Sequence, residues 1–208
     1  MPNNRTPTIR LKDVKSDSIT FELSDTDISM ANSLRRVMIA EVPTLSIDLV
    51  EFHANSTCMQ DEYIAHRLGL IPIRSTKDMK RWSYNHDCDC DDYCRKCSVK
   101  FTLDCDFNKM SMEYLQDNPA SPDLISILVT SKHLKSDDVT VEPVHFSNEL
   151  EARTSKDEGI AIMRIGPGQC LKLEAIAKKG IGKEHSKWSP VCTVALKFDP
   201  IVTLNHEM

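Results

Sequence analysis

The sequence predicts an α+β fold, in which short strands surround two early helices and a cysteine-rich loop. Segments of alternating apolar and polar residues open the chain and recur in its second half, as expected of half-buried strands. Residues 24–43 carry the start signal, apolar spacing and stop signal of a helix. Four of the eight cysteines fall within residues 88–97, where the composition changes sharply. At 208 residues the chain can bury a core of its own, so a metal need not hold the whole fold together.

The first elements are a hairpin and a helix. Residues 8–14 and 18–23 alternate, and Lys15-Ser16-Asp17 between them is typical of a turn. Residues 24–27 supply N-cap candidates and negative charge, and Pro43 ends the helix. Apolar residues follow at helical spacing, at Met30, Ala31, Leu34, Val37, Met38 and 40–42.

The polar face of this helix carries Asn32, Arg35 and Arg36. Adjacent arginines beside small polar residues suit a docking surface, and a plain solvated face explains the pattern equally well.

The rest of the chain is predicted as strands with one short helix. Asp61 caps that helix, which runs through Leu68 and has Gly69 as its C′ residue. Asn108 to Pro122 is predicted to be a loop, and Gly166-Pro167-Gly168 a sharp turn. The predicted strands are 45–52, 124–129, 139–144, 160–165, 170–177 and 191–198, with a basic loop at 178–190 before the last.

The cysteine-rich segment has the spacing C-x-C-x3-C-x2-C, from Cys88 and Cys90 to Cys94 and Cys97. Four thiolates that converge on one point form a tetrahedral Zn²⁺ site. Such a site has no open position for water or substrate, so we expect one structural zinc ion in a loop at about 86–98. The alternatives are unpaired or disulfide-bonded cysteines, an iron–sulfur cluster, and a site in which His86 replaces one thiol.

The charge around the cluster argues against catalysis there. Asp87, Asp89, Asp91 and Asp92 raise thiol pKa values, whereas a nucleophilic cysteine needs a lowered pKa. The same charges argue against contact with phosphates. The isolated cysteines, Cys58, Cys105, Cys170 and Cys192, are predicted to be small core residues.

The overall composition excludes several classes of protein. A net charge of −5 argues against a protein that grips nucleic acid alone, including an independent zinc module. No stretch is long and apolar enough to span a membrane, and the N-terminus has no apolar secretory segment. Residues 179–183 lack the spacing of a phosphate-binding loop, and no nucleophile–base motif is present.

Three segments, together with the cysteine cluster, resemble the alpha-like subunits of cellular RNA polymerases. Residues 29–44 (SMANSLRRVMIAEVPT) resemble the first helix of that family, and residues 61–73 (DEYIAHRLGLIPI) its second signature. Residues 180–190 (GIGKEHSKWSP) resemble the late loop of the eukaryotic and archaeal members. The C-x-C-x3-C-x2-C cluster narrows the resemblance to the third-largest subunit of eukaryotic RNA polymerase II.

The resemblance implies a non-catalytic assembly subunit located in the nucleus. It implies a discontinuous dimerisation domain, at 1–48 and 171–208, and an inserted, mostly β domain at 49–170 that holds the zinc loop. The implied partners are a smaller alpha-like subunit, the second-largest subunit and other polymerase II subunits, with DNA reached only through the complex. The implied interface residues are Asn32, Arg35, Arg36, Lys183, His185 and Trp188. Family members usually continue into a long C-terminal helix, whereas this sequence ends at Met208.

Overall fold

The structure combines antiparallel sheets with α-helices, and it confirms the predicted α+β class. The computed structural model describes residues 6–15, 17–117, 125–145, 159–200 and 203–204. The helices are α1 (Ile28–Ala40), α2 (Asp61–Gly69) and α3 (Phe107–Asp117). The strands are β1 (Thr8–Val14), β2 (Ile19–Ser24), β3 (Pro43–Asn55), β4 (Ile73–Ser75), β5 (Ser98–Asp106), β6 (Ile127–Thr130), β7 (Lys135–Ser136), β8 (Val141–Pro143), β9 (Ala161–Ile165) and β10 (Cys170–Ile181). Single 3-10 turns lie at Met79–Arg81, Asn85–Asp87, Ser131–His133 and Ser186–Trp188.

The long strand β10 organises the fold. It lies between β3 and β5 in an antiparallel sheet ordered β3-β10-β5-β7. Its pairing with β3 runs from Leu171 opposite Asn55 to Ile181 opposite Pro43, so it joins two distant parts of the sequence. Separate two-stranded sheets are formed by β1 with β2, β4 with β8 and β6 with β9.

The hydrophobic core is formed by alternate side chains of this sheet together with α2 and the smaller sheets. Such alternation is the period-2 pattern that buries one side of a strand. Among the largest fully buried side chains are Phe101, Leu103, Leu171, Leu173, Ile64 and Leu68. None of the helices in the described ranges is both long and apolar enough to cross a bilayer.

The predicted hairpin and first helix are confirmed. β1 and β2 pair antiparallel, with Ile9 opposite Leu23. Asp27 is the N-cap of α1, because its Oδ1 accepts the backbone N–H of Met30 at 2.9 Å. The helix ends before Pro43, as the missing N–H of proline requires.

Two elements after the cysteines were not predicted. Residues 107–117 form α3 rather than a loop, because Phe107 and Met110 pack against the core. Residues 98–106 form β5, whose alternation was obscured by the Asp- and Cys-rich composition. Its inward residues Val99, Phe101 and Cys105 are all at most 4% exposed.

The predicted last strand is wrong. Residues 191–198 have no strand beside them within the described residues, and Leu196 and Phe198 are 46% and 67% exposed. The basic loop also begins later than predicted, because β10 continues to Ile181. The predicted strands that correspond to β6, β8 and β9 are confirmed, as is the turn at Gly168, which has φ +75°. Residues 118–122 of the predicted loop and residue 124 of the predicted strand at 124–129 lie outside the described residues.

The predicted caps of α2 are also wrong. Gln60 occupies the N-cap and Asp61 is the first helical residue. Gly69 is the last helical residue, and Leu70 follows as the C-cap with φ −91°. A Cβ at Gly69 would lie 3.4 Å from the carbonyl oxygen of Ile47, which is an ordinary contact.

The isolated cysteines divide into buried and exposed residues. Cys105 is buried as predicted, and burial raises its pKa to about 12. Cys170 is half-buried. Cys58 and Cys192 are exposed, so the prediction of core positions is wrong for these two, which lie in turns outside the sheets.

Arg67 joins α2 to strand β9 of the β6–β9 sheet and should be important for stability. Its Nε and Nη2 donate to the carbonyl oxygens of Ile162 and Ala161 at 2.7 and 2.9 Å. We expect Arg67→Ala to lower the free energy of unfolding by about 2–3 kcal/mol, because charge-assisted hydrogen bonds are lost. Urea unfolding measures this, with the exposed Arg74→Ala as the control. Equal effects of the two substitutions would contradict the assignment.

Candidate metal centre and subunit interface

The four clustered cysteines lie in residues 83–97, between β4 and β5. This segment is here called the cysteine loop. The N–H of Ser83 donates to the carbonyl of Lys96 at 3.1 Å and closes the base of the loop. The N–H groups of Cys97 and Ser98 both donate to the carbonyl of Cys94, at 3.1 and 2.9 Å. This turn brings the last two cysteines together immediately before β5 begins.

All four predicted ligands, Cys88, Cys90, Cys94 and Cys97, converge, and their Sγ atoms lie within 4.8 Å of one another. The Sγ–Sγ distances are 3.6 Å for Cys88–Cys94, 3.7 Å for Cys90–Cys97 and 3.8 Å for Cys94–Cys97. Zn–S bonds of about 2.3 Å in a tetrahedron place sulfur atoms about 3.8 Å apart. Disulfide sulfurs lie only about 2.05 Å apart, so these thiols are not bonded in pairs. The arrangement fits one tetrahedral metal ion.

His86 is not part of this cluster. Its ring stacks on Tyr84 with the centroids 5.2 Å apart, and its Nε2 lies 3.6 Å from Oδ1 of Asp87. The group that could hold a metal therefore consists of the four cysteines without histidine.

The thiols of the cluster differ in acidity. Hydrogen bonding to Cys88, followed by burial, raises the pKa of Cys90 to about 12. The backbone N–H of Lys96, followed by the thiol of Cys88, lowers the pKa of Cys94 to about 7. The predicted rise in thiol pKa is thus wrong for Cys94, because backbone N–H groups donate to its sulfur. The N–H of Cys94 in turn donates to Sγ of Cys97 at 3.3 Å, and such bonds favour thiolate ligands.

A lysine of β10 holds the cysteine loop in place. Nζ of Lys179 donates to the carbonyl of Trp82 at 2.8 Å and lies 4.4 Å from the centroid of the Tyr84 ring. Trp82 is only 4% exposed, so the base of the loop is part of the core.

The N-terminal elements carry a second notable feature, an exposed apolar surface. We call it the hairpin–helix surface. α1 has no buried residue, and Met30 and Val37, two helical turns apart on one face, are 54% and 40% exposed. Four apolar side chains of the hairpin are 58–62% exposed, whereas its Phe21 and Leu23 are half-buried. The members of the surface are Ile9, Leu11, Val14, Ile19, Ile28, Met30 and Val37.

The predicted polar contact residues lie on the same helix. Oδ1 of Asn32 accepts Nε and Nη2 of Arg35 at 3.1 and 2.9 Å, and these two residues are half-buried. Arg36 is exposed. Arg35 is therefore held in place, whereas the Arg36 side chain makes no hydrogen bond or ion pair with the described part of the chain.

The late loop contains the other predicted contact residues. Lys183 and His185 are exposed, whereas Trp188 is 7% exposed. Nε1 of Trp188 donates to the carbonyl of Lys178 at 3.1 Å, and its ring lies over Gly180, where a Cβ would approach Cε2 to 2.4 Å. Because it is buried, Trp188 can contribute to an interface only by positioning the residues around it.

Residues 180–189, here called the clamp, hold the C-terminal end of α1. The N–H of Lys183 donates to the carbonyl of Ala40 at 2.9 Å, and Oγ of Ser189 donates to that of Ile39 at 3.1 Å. These carbonyls belong to the last turn, which has no partners within the helix. A Cβ at Gly182 would lie 2.4 Å from the carbonyl oxygen of Ile39, so only glycine allows this approach.

Sequence reasoning missed Gly180, Gly182 and Ser189 as residues that position α1. Their only signal was two glycines and a serine in a loop, a pattern that many surface loops share. The contacts they make span up to 150 residues of sequence and are not readable from local spacing.

Comparison with known proteins identifies the family to which this chain belongs. The model of the family described as "RNA polymerase Rpb3/RpoA insert domain" matches residues 50–193. "DNA-directed RNA polymerase II subunit rpb3" of Dictyostelium discoideum is 46% identical over 202 residues, which cover 97% of this chain and 61% of the relative. "DNA-directed RNA polymerases II, IV and V subunit 3" of Arabidopsis thaliana is 46% identical over 207 residues, covering 98% and 60%.

A further relative is a subunit of a different class of polymerase and is less similar to this chain. "DNA-directed RNA polymerases I and III subunit rpac1" of Dictyostelium discoideum is 32% identical over 200 residues, covering 96% of this chain and 54% of the relative. The chain spans about three fifths of the length of the first two relatives. It belongs to the Rpb3/RpoA family of RNA polymerase subunits and is more similar to the polymerase II member of Dictyostelium than to that organism's polymerase I and III member.

Proposed function

We propose that this chain is a non-catalytic structural subunit of DNA-directed RNA polymerase II, which nucleates assembly of the enzyme for mRNA transcription. The relatives that carry polymerase II in their names support the choice of enzyme. In this proposal the chain pairs with a smaller alpha-like subunit, docks on the second-largest subunit and meets DNA only through the complex. We also propose a nuclear location, since polymerase II transcribes there.

The observation that carries the proposal is the hairpin–helix surface. A two-stranded hairpin alone is marginally stable in water. Here Leu11 pairs with Phe21 and Val14 with Ile19, so apolar side chains share one side of the hairpin. Leu11, Val14 and Ile19 are largely exposed and Phe21 is half-buried. Exposed apolar side chains in such numbers are typical of protein–protein contact sites.

We propose that the surface belongs to a discontinuous dimerisation domain, at 1–48 and 171–208, and that 49–170 form the inserted domain. Arg36, Lys183 and His185 then lie at the rim of the interface as polar contacts. Asn32, Arg35 and Trp188 hold its geometry, since their side chains are engaged within the chain.

We propose Zn²⁺ as the metal of the cysteine loop, with Cys88, Cys90, Cys94 and Cys97 as ligands. Four thiolates in a tetrahedron are the usual donor set of structural zinc. When bound, the ion supplies cross-linking of the loop and no chemistry, because the cysteines would fill all four of its positions. The loop's own contacts then orient it: Lys179 holds Trp82, and backbone N–H groups orient the sulfurs.

The test is co-purification of the tagged chain from nuclear extract. We expect the wild-type chain to recover the two largest polymerase II subunits and a small alpha-like partner. Met30→Glu with Val37→Glu should reduce recovery of the small partner at least about tenfold, because charges enter an apolar interface.

The matched control is Met112→Glu, which also places a charge at an exposed methionine, 67% exposed on α3. It should leave recovery unchanged. Wild-type recovery with the α1 double variant would contradict the proposed interface, and recovery of the wild-type chain alone would contradict the proposed function.

A further inference from the structure

The side chain of Asn85 contacts the cysteine cluster without belonging to it. Its Oδ1 accepts the S–H of Cys97, with the oxygen and the sulfur 3.8 Å apart. Its backbone carbonyl accepts the N–H of Cys88 at 3.3 Å, and this bond closes the 3-10 turn Asn85–Asp87. One half-buried residue therefore contacts both the first and the last of the four cysteines.

Cys97 is the cysteine of the cluster whose sulfur depends most on donors from the protein. It is 0% exposed, whereas the other three cysteines are half-buried. A metal-bound thiolate has no hydrogen to donate and carries negative charge. Because water cannot reach this sulfur, N–H groups of the chain must stabilise that charge. The N–H of Cys94, 3.3 Å from Sγ of Cys97, is one of them.

Two oxygen atoms lie beside the same sulfur, and only one of them can be replaced by a donor. The backbone carbonyl of Cys94 lies 3.6 Å from Sγ of Cys97 and is fixed, because it also accepts the N–H groups of Cys97 and Ser98. The amide of Asn85 is a side chain and can rotate. Its Nδ2 has no partner within the described residues and is not shut off from solvent. A half-turn of the amide therefore exchanges an acceptor for a donor beside the sulfur at little cost.

We propose that Asn85 is a positioning residue of the metal centre, and that its Nδ2 donates to Sγ of Cys97 when a metal is bound. The inference rests on the proposed function, because it assumes that the four cysteines are the metal ligands. A thiol donates to Oδ1, whereas a metal-bound sulfur accepts from Nδ2, so one amide serves both. Such bonds from beyond the ligands typically change metal affinity about 10- to 100-fold.

The direct test is an NMR measurement on the full chain loaded with an NMR-active isotope of cadmium, a soft metal that thiolates bind. An N–H that donates to a ligand sulfur shows scalar coupling to the metal nucleus across the hydrogen bond. We expect this coupling at the side-chain amide of Asn85. The N–H of Cys94, which donates to the same sulfur, is the internal standard. Coupling at Cys94 without coupling at Asn85 would overturn the inference.

Substitutions measure how much this bond contributes to metal affinity. Asn85→Leu removes the donor at similar size, and Asn85→Asp replaces it with a charged acceptor. Competition with a chelator should show that each variant binds Zn²⁺ about tenfold or more weakly than the unsubstituted chain. Ser83→Asp is the control, because it adds the same charge at an exposed position of the cysteine loop, where solvent screens it. Unchanged affinity in Asn85→Leu, or equal effects of Asn85→Asp and Ser83→Asp, would contradict the role of Asn85.

The outcomes also separate this inference from the proposals on which it rests. An unsubstituted chain that binds no Zn²⁺ contradicts the proposed metal. A chain that binds one Zn²⁺, and binds it equally well with Asn85→Leu, contradicts the role of Asn85 alone. Recovery of polymerase subunits in the co-purification tests the assembly role independently of both.

Discussion

Serine in place of Cys94 should abolish metal binding and release the cysteine loop while the central sheet stays folded. Removing one thiolate leaves three ligands, and structural zinc contributes on the order of 10 kcal/mol to ordering its loop. The bound metal should fall from about one ion per chain to a small fraction of that. Elemental analysis measures the metal, and hydrogen exchange should show lost protection at residues 83–97.

The matched control is Cys58→Ser, because Cys58 is a free, exposed cysteine outside the cluster. It should bind metal as the unsubstituted chain does. The far-UV spectrum of Cys94→Ser should change little, because the core is built by β3, β5 and β10. Wild-type metal content in Cys94→Ser would contradict the ligand assignment, and collapse of the whole spectrum would contradict the local role of the metal.

Alanine in place of Gly180 should strongly destabilise the chain. Its Cβ would lie 2.4 Å from Cε2 of Trp188, a contact that neither the paired strand nor the buried indole can relieve. Overpacking of this kind costs about 1–3 kcal/mol, which corresponds to a fall in Tm of roughly 2–12 °C for a chain of this length. Displacement of Trp188 should also loosen the clamp and so weaken assembly with the small alpha-like partner.

Gly166→Ala is the control, because a Cβ there would meet nothing closer than 3.7 Å. It should leave Tm nearly unchanged. A double variant, Gly180→Ala with Trp188→Ala, tests the mechanism: relief of the clash should make its cost smaller than the sum of the two single costs. Simple additivity would show that Gly180 acts through something other than Trp188.

The parts of the fold that were predictable are those with local signals. The N-cap at Asp27 and the turn at Gly168 each depend on residues within a few positions, and both are confirmed. β5 was missed although its alternation is regular, because the neighbouring cysteines and aspartates dominated the composition. The strand predicted at 191–198 failed for a non-local reason, since a strand forms only where another strand is available to pair with it.

The candidate site divides in the same way. The four cysteines were identifiable because metal ligands in a short loop have a characteristic spacing. The pKa of Cys94 was mispredicted, because its cause is the backbone N–H of Lys96, followed by the thiol of Cys88, rather than the nearby side-chain charges. Neither the burial of Trp188 nor that of Lys178 was predictable, since each depends on how β10, the cysteine loop and the clamp come together.

The clamp imposes an order of events during protein synthesis. Helix α1 leaves the ribosome early, but Ser189, which holds Ile39, is added 150 residues later. At typical translation rates this is a delay of roughly 8–30 s. Within the described residues, β3 gains its partner strand only when β10 is complete at Ile181, and the last turn of α1 gains its two contacts from the clamp only with Lys183 and Ser189. A partner that recognises α1 in its final position therefore meets a chain that has been synthesised at least as far as Ser189, and recruitment follows the closing of the sheet.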